Sequence, residues 1–311
     1  MLAGVKDAQH LWNEDELKQA IIDLKSNQCQ QDLKRFLSDR IEDPDPCCCS
    51  KRAKLWNELG LAMLSEENIE QADLCFTEAL KIDPMDISAV YNLANVSLQQ
   101  GSFERANGLY ERVLLAEPDF FGAVFNLALS YLYSDQYEKA QPLFVRAATL
   151  QPDNHSAHYW AAETLLRSRS FAASLTYFKQ AYALNPNHFE TVNGYAMALH
   201  QAGHNAEAIS ICDSSLMNLG PSVVSLRTKA DALIELDRID EAALCHLDIA
   251  HIDLDSRDTI VSRLQALYRQ SPQKFTCYRN FMLDRAPSFE PLLSVIKEFE
   301  AQQTAEVNHC H

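Results

Sequence analysis

Between residues 53 and 256 the apolar and small positions return in the same order every 34 residues. Pro84, Pro118, Pro152 and Pro186 keep that step, and Pro221 arrives one residue late. Small residues recur at Gly60, Ala94, Ala128, Ala162, Ala196 and Ala230, and again at Ala72, Ala106, Ala140, Ser174, Ala208 and Ala242. Ala79, Val113, Ala147 and Ala181 form a third such series, and Phe76, Tyr110, Phe144 and Phe178 an aromatic one. Six frames follow without insertion: 53–86, 87–120, 121–154, 155–188, 189–222 and 223–256. Inside each, apolar residues fall three and four apart, which predicts two helices per frame. The small residues at frame positions 8, 20 and 27 let helix axes approach. The large ones at 4, 7, 11 and 24 fill the space beside them. Proline ends each pair, because its ring fixes φ and it has no N–H to donate. One pair cannot bury its own apolar face, so the pairs are expected to stack.

This 34-residue pattern resembles the tetratricopeptide repeat family. The first frame carries it best, through Trp56, Leu59, Gly60, Met63, Ala72, Phe76, Ala79 and Pro84. The resemblance implies an all-α fold: a right-handed α-solenoid of about six helix-turn-helix repeats with a concave inner face and flanking helices at both ends. Frames five and six are degenerate, with Cys212, Ser215 and Gly220 in one and Lys229, His246, Ile249 and Leu254 in the other. Residues 1–42 read as an N-terminal helical segment, with helical spacing in 14–25 and 33–41. Residues 43–52 read as a linker, 53–256 as the repeats, and 257–311 as capping helices with a frayed tail.

Composition narrows the function. Gly is only 8 of 311 residues, which disfavours glycine-rich phosphate loops and turn-rich β folds. The net charge is −16, and residues 53–256 alone carry −15. Such a surface repels nucleic acid and anionic membranes and favours basic partners. Nine cysteines, an odd number, accompany a charged N-terminus and no run of 18 apolar residues. A cytoplasmic protein with reduced thiols and no membrane insertion is expected.

No catalytic motif is present, so an enzyme is not expected, nor a cofactor or metal. Cys47, Cys48 and Cys49 alternate in direction if extended, which does not suit one tetrahedral zinc. Those cysteines, with His309, Cys310 and His311, leave a metal- or redox-responsive role as an alternative. His155, His158 and His188 gather at inter-repeat corners, and Cys75, Cys212 and Cys245 fall on core positions.

In the resembled family, positions 2, 5, 6, 9, 12 and 13 of each first helix face the groove. Carried over, they place Tyr91, Asn92, Asn95, Phe125, Asn126, Tyr133, Tyr159, Trp160, Asn193 and Arg227 in a peptide-binding groove. Asn92 and Asn126 hold position 6 of successive frames. An amide both donates and accepts, so such a row can clamp a peptide backbone. It resembles the asparagine ladder of the repeats in O-linked N-acetylglucosamine transferases; nothing in the chain looks like their glycosyltransferase domain. The carboxylate-holding pattern of chaperone-binding repeats fails here: Asn57, Leu61, Gly122 and Asn126 replace key positions. A non-catalytic interaction scaffold is therefore expected, binding a peptide segment in the groove. A regulatory or accessory subunit and self-association through a solenoid end remain alternatives. Replacing Asn92 and Asn126 by Ala is expected to cost folding little, within about 0.5 kcal/mol each for exposed sites.

Overall fold

The computed structural model describes residues 30–41, 49–253 and 257–297. The expected helix at 14–25, Cys47, Cys48 and the tail from Gln302 lie outside the described residues. All described elements are helical, with no strand among them. The chain divides into two compact units, Met1–Leu150 and Gln151–His311.

In the first unit, α1 (Gln30–Ile41) lays Leu37 and Ile41 against Leu55 and Leu59 of α2 (Cys49–Ser65). That second helix starts inside the stretch assigned as linker. With α3 (Ile69–Ile82) it forms the first hairpin. Helices α4 (Ile87–Gln99) and α5 (Phe103–Ala116) form the second, and α6 (Phe121–Tyr133) and α7 (Tyr137–Leu150) the third. The second unit continues with α8 (His155–Arg167) and α9 (Phe171–Leu184), α10 (Phe189–Gln201) and α11 (Asn205–Leu219), and α12 (Val223–Glu235) and α13 (Ile239–Ile252). Each frame is thus one helical hairpin, and each unit a stack of hairpins.

Of the predicted core positions, 8, 20, 24 and 27 are buried in every frame, while 4, 7 and 11 are only partly buried in some, as at Trp56, Tyr131 and Lys229. Ala72, Ala106, Ala140, Ser174, Ala208 and Ala242 are 0% exposed. Position 24, occupied by Phe76, Tyr110, Phe144, Phe178, Cys212 and His246, is sealed in every frame. A Cβ built on Gly60 would stand 2.6 Å from the Phe76 ring, so position 8 must stay small. Ala140→Leu therefore replaces a methyl by an isobutyl group at a position fully closed to solvent. A loss of roughly 1–3 kcal/mol is expected from overpacking. Denaturant unfolding checks it, and an unchanged midpoint would remove the assigned register.

Each hairpin closes by one turn geometry. Frame position 15 takes left-handed backbone at Glu67, Gly101, Asp135, Arg169, Gly203 and Asp237, with φ of 60°, 72°, 59°, 59°, 84° and 60°. The next N–H donates five residues back, as in Asn68 N to Met63 O at 3.0 Å and Ser170 N to Leu165 O at 2.9 Å. That bond satisfies a carbonyl the helix end would leave open. Only two of the six residues are glycines. An L-residue pays about 1–2 kcal/mol for left-handed helical backbone. Arg169→Gly is thus expected to stabilise the protein by about 1 kcal/mol, reduced by the freedom glycine gains in the unfolded chain. Thermal unfolding reads it; a fall in midpoint would refute it.

Between hairpins, position 34 caps the next helix. Asp86 accepts from Ser88 N and Ala89 N, Asn154 from Ala157 N, and Ser222 from Ser225 N. These side chains satisfy N–H groups that a helix start leaves without partners.

Beyond frame six, α14 (Arg257–Gln270), α15 (Pro272–Arg285) and a helical stretch at 290–297 follow. Ile260, Leu264, Phe275, Tyr278, Met282, Leu292 and Val295 join Cys245 and Ile249 in one buried cluster. Polar ties accompany it. Lys274 Nζ donates to Ile234 O at 2.8 Å and pairs with Asp237 at 2.9 Å. Arg263 pairs with Asp231, and His246 Nδ1 lies 3.0 Å from the Tyr278 hydroxyl.

Candidate peptide-binding faces

The first helices of the hairpins carry the candidate residues, and each unit has its own set. In the first unit they form a connected row of amides and phenols. Asn92 Nδ2 donates to Asn57 Oδ1 at 2.9 Å. Asn126 Nδ2 donates to Asn95 Oδ1 at 2.9 Å and to the Tyr91 hydroxyl at 3.2 Å. The Tyr110 hydroxyl donates to the same Asn95 oxygen at 2.7 Å. Burial above all, then the neighbouring Tyr91, pushes the Tyr110 phenol well above its ordinary pKa. It stays protonated and remains a donor.

Counting donors and acceptors shows what the row has left. Asn126 spends both N–H groups and keeps Oδ1. Asn95 spends Oδ1 and keeps its NH2. Asn92 keeps one N–H and Oδ1. Each amide offers two donors and an acceptor, so Asn92 alone still presents a donor and an acceptor together. Asn95 and Asn126 present that pair jointly. The expectation of independent amides in a wet groove is thus corrected. These side chains tie adjacent repeats together, and their removal costs more folding energy than an exposed polar group would.

The aromatic residues divide. Tyr133 is 56% exposed, its ring 6.4 Å from Phe103. Phe125 stacks on Phe121 at 5.6 Å and meets Phe144 edge-on at 5.5 Å, so it is partly core. Tyr91 meets Phe120 edge-on at 4.9 Å. Its hydroxyl reaches Asn126 only because residue 122 is glycine: a Cβ there would lie 2.6 Å from that oxygen. Sequence reasoning placed Gly122 on this face but missed its part in seating Tyr91. It also missed Tyr110, a core position whose hydroxyl completes the row.

In the second unit, Tyr159 is partly buried among Trp160 (5.1 Å), His188 (5.5 Å) and Phe178 (6.5 Å). Burial first, then Glu163 and Glu190, pushes its phenol up to about 12. Asn193 is buried and accepts from Ser225 Oγ at 2.7 Å. It is a structural tie between frames five and six rather than an open face. Arg227 is half-buried. Its neighbour one turn on, Asp231, is engaged by Arg263 instead.

Each histidine of the cluster has one ring nitrogen within hydrogen-bond distance of a neighbour, while His158 Nδ1 is buried without one. His155 Nε2 and His188 Nδ1 both lie 2.9 Å from the Thr191 hydroxyl, and His158 Nε2 is 2.8 Å from Pro152 O. No group of three metal-ligating side chains occurs among the described residues. Burial pushes the thiols of Cys75, Cys212 and Cys245 up to about 11, 12 and 11, which leaves them unreactive. No described helix is long and apolar enough to cross a membrane.

The tetratricopeptide repeat model matches residues 57–120, 125–189 and 161–222, more than half of the chain. No curated protein matches the sequence. Many solved structures are similar, among them the following three. YrrB, described as a TPR protein with an unusual peptide-binding site, has 18% identity and a TM-score of 0.55, covering 62% of this chain and 97% of its own. A tetratricopeptide repeat protein from Parabacteroides merdae ATCC 43184 has 19% identity and a TM-score of 0.52, covering 74% and 90%. MamA AMB-1 has 24% identity and a TM-score of 0.51, covering 55% and 94%.

Proposed function

The chain belongs to the tetratricopeptide repeat family, and from that premise we propose that it is a non-catalytic, cytoplasmic scaffold capturing an extended segment of a protein partner. Capture takes place on the first-helix face of frames two and three. The observation that carries this is the tied amide row. Asn92 retains a donor and an acceptor on one amide, and Asn95 with Asn126 retains the same pair across two repeats. A peptide bond also presents one donor and one acceptor, so the row matches successive backbone units of a segment laid across the repeats. The mutual hydrogen bonds hold the amides in place before a ligand arrives, which lowers the ordering cost of binding. Tyr133 supplies a rigid anchor beside them.

The chemistry of this face favours a neutral stretch of ligand. The candidate positions of frames two and three carry no charge, from Ser88 and Tyr91 to Leu132 and Tyr133. The peptide site of YrrB belongs to that protein; its likeness to this chain supports the fold as a carrier for such sites.

A photocrosslinking residue tests the assignment. Introduced at Tyr133, it is expected to capture a specific partner from the source cells. Introduced at Leu115, 85% exposed on a second helix, it is expected to capture none. Crosslinks formed from Leu115 and not from Tyr133 would move binding off this face.

A further inference from the structure

Frames two and three close their inter-repeat seams with an arginine at position 26. Arg112 Nη2 donates to Pro84 O at 2.8 Å. Arg146 Nη2 donates to Pro118 O at 2.6 Å and pairs with Asp119 at 3.1 Å. Frames four and five have Gln180 and Ser214 there, and frame six has Asp248. A carboxylate has nothing to donate to a turn carbonyl, so the charge of the seam is reversed at frame six. The same seam is irregular in its turn. Helix α11 has 15 residues where the second helices of the other frames have 14. Gly220 then takes φ of 90°, and Pro221 follows one place late.

A cavity of about 320 Å³ opens at this seam, lined by Leu216, Pro221, Leu226, Asp248, His251 and Ile252. Met217, next in sequence to Leu216, is 83% exposed, and Ile252 is 45% exposed. The volume stands at the low end for ligand sites, which run from about 300 Å³ upward. It suits a single side chain.

We propose that this seam cavity is a docking site for an arginine side chain on a basic segment of a protein partner. That arginine supplies from outside the cation which Arg112 and Arg146 supply from within. Its aliphatic stem lies along Leu216, Leu226 and Ile252, and its guanidinium pairs with Asp248. Arginine suits both parts, because its stem covers apolar surface while its fork engages a carboxylate. The net charge of −15 over residues 53–256 steers basic segments toward it. The cavity shares no residue with the amide row, so it stands or falls apart from the groove assignment.

The test uses the full chain with labelled Leu and Ile methyl groups and a blocked tripeptide, acetyl-Gly-Arg-Gly-amide. The tripeptide is expected to shift the Leu216, Leu226 and Ile252 methyl signals saturably, and less so at high salt. The citrulline counterpart, neutral and similar in shape, is expected to bind about tenfold more weakly, as is the arginine tripeptide to Asp248→Asn. Asp248→Arg restores the position-26 residue of frames two and three and is expected to abolish binding. Absence of methyl shifts, equal binding of the citrulline peptide, or unaltered binding by either variant would overturn the proposal.

Discussion

Acidification from pH 7 to pH 4 is expected to cost the protein about 3 kcal/mol of stability through one residue, His246. Its ring is 1% exposed at position 24 of frame six, where four earlier frames hold an aromatic residue. Nδ1 is engaged with Tyr278, and Nε2 is buried without a partner. Burial pushes its pKa down from 6.5 to about 4. The folded chain thus holds the neutral ring, while the unfolded chain takes up a proton near pH 6.5. The contribution is fully present above pH 6.5. It is lost as the pH falls from there toward 4, and is gone below that value. Carboxylates titrate in the same range, so the comparison with His246→Phe decides the matter. That variant should lack this part of the acid dependence. At neutral pH it should also be less stable by about 1–3 kcal/mol, since the buried Tyr278 hydroxyl loses its partner. Tyr278→Phe added to it should recover that loss. Parallel pH profiles for parent and His246→Phe, measured by denaturant unfolding, would contradict the assignment. The bond joins frame six to α15, so the acid-weakened form should first loosen there, with earlier hydrogen exchange in 272–285.

The hairpins were legible in the sequence because packing repeats. Ala140 and Phe144 recur at fixed intervals, since each hairpin must meet the next in the same way. The helix-closing turns were less legible. Glu67, Asp135, Arg169 and Asp237 occupy left-handed backbone without being glycines, because the five-residue-back hydrogen bond imposes that geometry on whichever residue stands there. The amide row was legible as positions but not as bonds. Whether Asn126 meets Asn95 or solvent depends on the rotation between repeats, which spacing alone does not carry. Asn193 shows the limit of transferring positions. It holds position 5 like Tyr91, yet Ser225 of the next frame covers it. The seam cavity was hidden for a related reason. Asp248 is unremarkable as a surface carboxylate until Arg112 and Arg146 show what its position does elsewhere.

The largest expected effect concerns binding. Asn92→Ala with Asn126→Ala removes Asn92 as a complete donor–acceptor pair and leaves Asn95 without its acceptor partner. It also removes three internal hydrogen bonds, to Asn57, Tyr91 and Asn95. At about 1 kcal/mol each, the cost to folding should be a few kcal/mol at most, and less where water replaces the partner. Each lost clamp should cost a further 1–2 kcal/mol or so of affinity. Together these predict a partner segment bound roughly ten- to a thousandfold more weakly. Because the lost groups are neutral, the ratio of parent to variant affinity should hardly change with salt. The seam at Asp248 should instead respond to salt. Calorimetric titration of the crosslinked partner segment decides the role of the first-helix face of frames two and three, using the folded double variant at low and high salt. A large, salt-independent loss of affinity is the expected result. A folded double variant that binds as tightly as the parent would contradict capture on the first-helix face.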